Sequence, residues 1–273
     1  MTTDGERAPA DTQAFWTGLR SFTQARIGLG RAGDALPTRR VLEFAAAHAA
    51  ARDAVHIPLD VPALCARIAE LGVGDPVQLR SRARDRAEYL RRPDLGRLPA
   101  LDPDTTDRGP ASLASSGADI GLVLADGLSA RALTSHGPPT VAALLEVLRP
   151  HWSIAPPVVT TQARVALGDH IGAALGVSTV LVLIGERPGL SVADSLGIYL
   201  THRPRPGRTD ADRNCVSNIH PPEGTGYRRA AEVVAALVAG ARRLDRSGVT
   251  LKDMSRDQLL PGPGRPLSDG EAG

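Results

Sequence analysis

The stretch STVLVLIGE, residues 178–186, decides the fold of this chain. It is a short continuous apolar run that ends in a glycine and an acid, the pattern of a strand buried on both faces of a sheet. The segments ADIGLVLADG (118–127) and 158–160 are predicted to be strands as well, and segments with helical periodicity follow both of them. Strands and helices in alternation predict an α/β fold with a mostly parallel sheet covered on both faces.

Outward from this core, LGIYLTHR (196–203) is predicted to be another strand and YRRAAEVVAALVAGARRL (227–244) a final helix. Between residues 15 and 90 the apolar residues recur every three or four positions, so this part is predicted to be all-helical. We therefore predict a disordered N-terminus over 1–12, an N-terminal helical region over 13–92, a linker over 93–117, a Rossmann-like domain over 118–254 and a flexible C-terminal tail over 255–273.

The composition excludes several kinds of chemistry. The chain has 273 residues, 42% of them hydrophobic and only 3% aromatic, with a net charge of +2, so no global field attracts nucleic acid or an anionic membrane. Lys252 is the single lysine among 32 basic residues, and no glycine-rich loop precedes it. A Schiff-base enzyme and a Walker-type phosphate-binding loop both need a lysine at a defined place, so neither class is expected.

Cysteine usage favours a reducing, cytoplasmic protein. Cys65 and Cys215 lie far apart and match no metal-ligand or disulfide pattern. The apolar runs are too short to cross a membrane, and the first residues do not form a signal peptide, so neither feature is expected.

Residues 28–33, GLGRAG, match the GxGxxG pattern of dinucleotide-binding loops. The segment before them has helical rather than strand periodicity, and Pro37 falls where the binding helix should continue. A glycine-rich turn is therefore the favoured interpretation.

An arginine-rich stretch covers residues 80–97. Tyr89 is its only aromatic residue, whereas nucleic-acid binding by stacking would need several. Acids interrupt the stretch as well, so a solvated helix or a contact with an acidic partner subunit is preferred to a nucleic-acid site.

The turns after the predicted strands carry polar side chains, and in open α/β sheets ligands bind outside the carboxyl ends of strands. Asp126 and Glu186 each follow an apolar strand, and Arg187 could hold an anion or an ion pair. These turns predict a ligand crevice, against the simpler possibility of helix caps and structural salt bridges. The remaining residues assigned to the crevice are Asp194, Asp212, Arg213, Asn214, Cys215 and Asn218.

The same turns carry a family resemblance. The segments GERPGLS (185–191), SLGIYLT (195–201) and RNCVSNI (213–219), with ARVALGDHIG (163–172) and LADGLSA (124–130), resemble the small subunit of adenosylcobalamin-dependent ethanolamine ammonia-lyase. The likeness extends from Phe15 to Met254.

The resemblance implies a carbon–nitrogen lyase that converts ethanolamine to acetaldehyde and ammonia by a radical mechanism and is active only as a complex. A large subunit would hold the substrate, and this chain would bind adenosylcobalamin together with it, in a dodecamer of six heterodimers. The cofactor would be bound base-on, in agreement with the absence of the D-x-H-x-x-G motif, since Asp169 and His170 are adjacent. No residue of this chain is expected to be catalytic or to bind a metal.

By the resemblance, residues 118–254 form the cobalamin-binding domain, and Val165, Glu186 and Cys215 contact the cofactor. Arg164 is a predicted donor to a corrin side-chain amide. Family members in bacterial microcompartments often have longer N-terminal extensions than the short segment before Phe15. A free cytoplasmic complex and a complex enclosed in a microcompartment are therefore both left open.

The first alternative function is a stand-alone Rossmann-like oxidoreductase, which lacks a credible glycine fingerprint. The second is a nucleic-acid-binding scaffold. Neither nucleic acid nor membrane is the predicted partner.

Overall fold

A computed structural model describes residues 9–100, 109–110 and 113–255. Over these residues the chain forms seven α-helices and one six-stranded sheet. The helices are α1 (Pro9–Arg20), α2 (Thr38–His56), α3 (Val61–Ala69), α4 (Arg86–Arg91), α5 (Ala130–Leu148), α6 (Leu167–Leu175) and α7 (Tyr227–Leu244), and the strands are β1 (Val77–Arg80), β2 (Ile120–Ala125), β3 (Val158–Thr161), β4 (Thr179–Gly185), β5 (Leu196–His202) and β6 (Asn214–Ile219).

The sheet has the strand order β1-β3-β2-β4-β5-β6. The first four strands in this order are parallel, and β5 and β6 are antiparallel to their neighbours. The predicted α/β fold with a mostly parallel sheet is therefore confirmed. The sheet differs from a fully parallel Rossmann arrangement at β5. A loop without a helix joins β4 to β5, and such a loop can only lead to an antiparallel neighbour, because a parallel one needs a longer crossover connection.

Helices cover both faces of the sheet, as the continuous apolar strands require. Leu122 and Leu124 of β2 point to a cluster that contains residues of α3, α5 and α7, whereas Val123 packs in a second cluster with Ile171 of α6. Every residue of β2 and β4 is buried. The two central strands therefore position the loops at their carboxyl ends rigidly.

Helix α5 runs through two prolines, Pro138 and Pro139. A proline in a helix leaves the carbonyl four residues earlier without its donor. Here Arg67 of α3 donates to the Thr134 carbonyl at 2.7 Å, which is the carbonyl that Pro138 cannot bond. A neighbouring helix therefore allows α5 to continue.

The prediction of an all-helical region over 13–92 is wrong at β1, which pairs with β3 at the edge of the sheet. The sequence VQLR is short and mostly exposed, so it carries little strand signal. Helix α1 begins at Pro9, within the predicted disordered N-terminus, and proline is compatible with the first turn of a helix. Ala100, in the predicted linker, is buried, while residues 1–8, 101–108, 111–112 and 256–273 of the predicted termini and linker lie outside the described residues.

Candidate functional site

A cleft of about 390 Å³ lies at the carboxyl ends of β2, β3 and β4. In the sheet, β3 and β4 lie on opposite sides of β2. The connection after β2 leads to β3 and the connection after β3 leads to β4, so the loops that begin these two connections diverge. This is the place where open α/β sheets bind ligands. The cleft is lined by Tyr89, Gly127, Leu128, Arg164, Val165, Ile184, Gly185, Glu186, Arg187 and Tyr199.

Three of the four predicted cofactor-binding residues line this cleft: Arg164, Val165 and Glu186. The fourth, Cys215, lies on β6 beside the cleft. It is paired across the sheet with Tyr199 of β5, which does line the cleft. The fold therefore brings together residues that are 51 positions apart in the sequence, from Arg164 to Cys215.

The floor of the cleft is formed where the ends of β2 and β4 approach each other closely. A side chain at Gly185 would collide with the carbonyl oxygens of Ser129 and Asp126. Gly127 has φ +55° and faces the Gly185 carbonyl in the same way. Only glycine fits both positions, which explains the ADG and IGE sequences at the two strand ends.

Asp126 holds the loop after β3 and is not free to bind a ligand. Its carboxylate accepts hydrogen bonds from the backbone N–H groups of Gln162 (2.9 Å) and Ala163 (3.1 Å). It is 3% exposed, and Arg86 lies 3.5 Å away. Burial raises the pKa of Asp126, against the opposing effect of these donors. The expectation that Asp126 meets a ligand directly is corrected to a supporting role.

Tyr89, which was not among the predicted site residues, supports the same loop from below. Its ring is fully buried, and its hydroxyl donates to the Ala163 carbonyl at 3.1 Å. The guanidinium carbons of Arg164 and Arg86 lie 4.5 and 4.8 Å from the ring centroid, both within cation–π range. Burial raises the pKa of Tyr89. One sequence feature could have identified Tyr89: it is the only aromatic residue in the arginine-rich stretch 80–97.

Glu186 is oriented by neighbours on the same loop and on β6. Its Oε2 atom accepts hydrogen bonds from the Ser195 hydroxyl (2.5 Å) and the Asn218 backbone N–H (3.2 Å). Its side chain lies against Gly197, where a Cβ would be 2.8 Å from Oε1. Within the described residues no donor bonds Oε1. This oxygen is therefore available to accept a hydrogen bond from a ligand.

Two arginines of the cleft lack a carboxylate partner. Within the described part of the chain, no carboxylate lies within ion-pair distance of Arg164 or Arg187. The Nε atom of Arg164 is buried and has no hydrogen-bond acceptor. A buried donor without a partner is unfavourable and marks a place where a ligand or water is expected to bind.

Cys215 and Tyr199 form the neutral wall beside the acid. Desolvation by the surrounding protein raises the pKa of the Cys215 thiol to about 11 and that of the Tyr199 hydroxyl to about 12, although Cys215 as a residue is exposed. Both groups are therefore uncharged at neutral pH. Cys215 suits packing or weak hydrogen bonding and not nucleophilic attack.

Three other residues of the predicted crevice, Arg213, Asp212 and Asp194, make structural contacts. Arg213 and Asp169 form a buried bidentate ion pair with two contacts of 2.7 Å. Asp212 accepts from the N–H and hydroxyl of Thr209 in a capping box. Asp194 lies 3.4 Å from Arg131. For these residues the simpler interpretation, caps and salt bridges, is the one the structure supports.

The glycine-rich segment 28–33 lies between α1 and α2 and follows no strand, in agreement with a turn. Gly28, Gly30 and Gly33 all have positive φ. No cluster of histidine, cysteine or acidic residues able to hold a metal ion occurs in residues 9–100, 109–110 and 113–255. In the same ranges, no helix has the length and apolar composition needed to cross a bilayer.

The fold and cleft define a class of protein: an α/β protein with a cleft where its parallel strands end and with arginine and glutamate on the cleft wall. The chain belongs to the ethanolamine ammonia-lyase light chain family, whose model matches residues 13–252. The resemblance seen in the sequence motifs is thus confirmed.

Individual relatives support the same family. The ethanolamine ammonia-lyase small subunit of Rhodococcus erythropolis is 64% identical over 242 residues, covering 89% of this chain and 91% of that protein. The small subunit of Ralstonia nicotianae is 50% identical over 264 residues, covering 95% of this chain and 96% of its own length. The small subunit of Bradyrhizobium diazoefficiens is 50% identical over 242 residues, covering 88% and 91%.

Proposed function

We propose that this chain is the small subunit of an adenosylcobalamin-dependent ethanolamine ammonia-lyase and that it binds the cofactor together with a large subunit. The complex converts ethanolamine to acetaldehyde and ammonia. The observation that carries the proposal is the position of Arg164, Val165 and Glu186, from separate family motifs, in one cleft at the ends of the parallel strands.

The residues of the cleft fit an amide-rich corrinoid. Glu186 Oε1 can accept from an amide or a ribose hydroxyl, while Arg164 has a buried donor without a partner. Val165 and Cys215 offer uncharged packing surface. When bound, adenosylcobalamin supplies the radical chemistry that the lyase reaction requires. This chain's residues bind and orient it, and we propose that residues 118–254 form the cofactor-binding domain.

The cleft is smaller than a corrinoid, so a second protein surface is required to enclose the cofactor. Next to it lies a more apolar hollow of about 790 Å³, which Glu186 and Arg187 share with Leu36 and Phe44 of the N-terminal region. Arg26 and Ser191 bond this region to the loop after β4, at 2.9 and 3.0 Å. The hollow thus extends the cofactor cleft toward the N-terminal region.

The N-terminal region also exposes large apolar side chains that pack poorly within this chain. Phe22 is 88% exposed and Leu42 is 64% exposed. Large exposed apolar areas mark protein interfaces. We assign this region to contact with the large subunit because it continues from the cleft that the same subunit would close. The exposed N-terminal apolar residues are Phe15, Leu19, Phe22, Leu36, Val41, Leu42, Phe44 and Ile57.

The proposal is tested by co-expression with the large subunit. The purified complex should release ammonia from ethanolamine only when adenosylcobalamin is added. Light scattering of the complex tests the proposed dodecamer of six heterodimers. Cell fractionation tests whether the cytoplasmic enzyme is free or enclosed in a microcompartment. A folded, assembled complex without cofactor-dependent ammonia release would exclude the proposed activity.

Replacement of Glu186 by glutamine tests the site itself. Glutamine keeps the size of the side chain and can still accept from Ser195, so folding should be maintained. Weaker cobalamin binding by the complex, measured by equilibrium dialysis, would support the assigned role of Oε1. Exchange of Asp75, an exposed acid that does not line the cleft, for asparagine is the matched control.

A further inference from the structure

We propose that Arg164 and Arg187 form an anion subsite within the cleft and that this subsite takes the phosphodiester group of the bound corrinoid. The inference rests on the proposed function and extends it, because it names which part of the ligand this wall of the cleft recognises. It assigns to Arg164 an anionic partner in place of a corrin amide.

The charge of the cleft wall carries the inference. Arg164, Arg187 and Glu186 are its ionisable residues other than the tyrosines, so positive charge exceeds negative charge. The single acid accepts hydrogen bonds from Ser195 and the Asn218 N–H through Oε2 only. A wall with two arginines and one carboxylate keeps a net positive charge, which favours a ligand group with a negative charge.

Arg164 is held in place before any ligand arrives. Its backbone N–H donates to the Gly96 carbonyl at 2.8 Å, and its guanidinium lies over the Tyr89 ring. Gly96 allows this approach, because a Cβ there would lie 3.0 Å from the Arg164 side chain. A guanidinium fixed in this way loses little conformational freedom when it binds, which favours recognition through its planar set of donors.

Other arginines near the cleft each have a carboxylate neighbour, although one buried nitrogen of Arg86, Nη2, also lacks a hydrogen-bond acceptor. Arg86 donates to the carbonyls of Val55 and Gly127 and lies beside Asp126. Arg131 lies beside Asp194. Arg164 and Arg187, which both line the cleft, differ from these two arginines because they have no such carboxylate. This difference distinguishes a binding pair from structural arginines.

A phosphodiester fits this pair better than an amide does. An amide oxygen is neutral and would leave both guanidinium charges without compensation. Guanidinium groups bind phosphate oxygens through paired, charge-assisted hydrogen bonds, which are stronger than bonds to neutral acceptors. The corrin side chains are amides, whereas the nucleotide loop of cobalamin contains a phosphodiester.

The experiment compares two probes that differ only in the phosphate: cobinamide and cobinamide phosphate. Their affinities for the complex of this chain with the large subunit are measured by equilibrium dialysis. We expect the wild-type complex to bind cobinamide phosphate at least about tenfold more tightly, the effect of one charge-assisted hydrogen bond. Arg164→Gln and Arg187→Gln should each remove most of this preference.

Arg52→Gln is the matched control, since Arg52 is exposed and does not line the cleft. Arg187 is exposed as well, so its variant tests the subsite even if Arg164→Gln destabilises the chain. Equal binding of the two probes by the wild-type complex, or a preference that survives both cleft variants, would overturn the anion subsite. A complex that binds neither probe nor cobalamin itself would instead refute the proposed function.

Discussion

The guanidinium carbon of Arg164 lies 4.5 Å from the centroid of the Tyr89 ring, and the Tyr89 hydroxyl bonds the carbonyl of Ala163, the residue before Arg164. One buried side chain from α4 thus fixes both the backbone and the side chain at the start of the ARVALGD motif. The arginine stretch contributes to the site through this tyrosine and not through its charge alone.

Replacing Tyr89 should separate these two contributions. Tyr89→Phe keeps the ring under Arg164 but leaves the Ala163 carbonyl without its donor, at a cost of about 1 kcal/mol of unfolding free energy. Tyr89→Leu also removes the ring and should cost about 2 kcal/mol or more. Urea unfolding of the chain measures both values.

The cobalamin affinity of the complex should fall clearly for Tyr89→Leu and little for Tyr89→Phe, because only Tyr89→Leu removes the ring that holds Arg164 in place. Equal losses of affinity for the two variants would argue against positioning of Arg164 by the aromatic ring.

The buried pair of Arg213 and Asp169 should be important for stability and not for ligand contact. Each side chain is 2% exposed. Asp169→Asn leaves the buried guanidinium with only the exposed Asp210, 3.5 Å from its Nε atom, as a charge partner and should cost about 3–5 kcal/mol, whereas the double change Asp169→Leu with Arg213→Met should recover much of this loss.

The exposed pair of Arg92 and Asp94 is the control for this cycle. Its side chains are 60% and 54% exposed, so Arg92→Ala should cost less than about 1 kcal/mol. Chemical unfolding gives all values. If Asp169→Asn were no more costly than Arg92→Ala, the buried pair would have no special structural role.

Acid stability should depend in part on Asp119. Burial alone would raise the pKa of Asp119, but hydrogen bonds from the Ser153 N–H and hydroxyl and the ion pair with Arg242 outweigh it and lower the pKa. A carboxylate with a lowered pKa in the folded state stabilises the protein above its unfolded pKa of about 3.9. That stabilisation is lost as the pH falls through the folded-state value.

Asp119→Asn should therefore lower stability at neutral pH by about 1–2 kcal/mol and flatten the fall in stability below about pH 4. Ser153→Ala removes one of the donors and should give a smaller change of the same sign. Urea midpoints measured between pH 7 and pH 3 check both variants. An unchanged acid slope in Asp119→Asn would contradict this account.

How much of the fold was predictable follows from how buried each element is. Strands β2 and β4 are buried along their whole length, so their apolar runs gave a clear signal. Strand β1 pairs at one edge, and β6, NCVSNI, is partly buried or exposed at every residue except Ile219, so neither is distinguishable from a polar segment by periodicity. Edge strands owe their structure to the neighbour they pair with.

The site was predictable to the same extent. Glu186 was identified because it directly follows a buried strand, whereas Arg164 and Val165 came from the family motif. Tyr89 was missed because its contact with Ala163 joins residues 74 positions apart. Asp126 followed a strand as Glu186 does, yet it is turned inward to the backbone of the next loop. The direction of such a side chain depends on tertiary packing that the sequence alone does not specify.

The two cysteines should react differently once the cofactor is bound. Burial raises the pKa of both thiols, to about 11 for Cys215. At pH 7.5 Cys215 should therefore react with iodoacetamide on the order of a hundredfold more slowly than free cysteine.

At pH 9 cobalamin should slow the alkylation of Cys215 and leave Cys65 unaffected, because only Cys215 lies beside the cleft. Mass spectrometry of the complex with and without cobalamin measures each rate, and Cys65 is the internal control. Equal protection of both cysteines would indicate a global effect of the cofactor and not contact near Cys215.

The exposed N-terminal apolar residues should govern assembly and not folding. Leu42 and Phe44 are 64% and 48% exposed, so Leu42→Ser with Phe44→Ser should leave the unfolding free energy of this chain nearly unchanged. If the large subunit covers them, the double variant should lose about 2 kcal/mol or more of binding free energy, since buried aromatic residues are the main contributors to interfaces.

The measurement is a titration of this chain against the large subunit, followed by size-exclusion chromatography. Val249→Ser is the matched control, because Val249 is 70% exposed but lies outside the N-terminal region. Assembly equal to wild type in the double variant would remove these residues from the interface. Assembly that is weakened there and retained in Val249→Ser would connect the apolar N-terminal region to the closure of the proposed cofactor cleft, which shares Glu186 and Arg187 with the hollow next to Phe44.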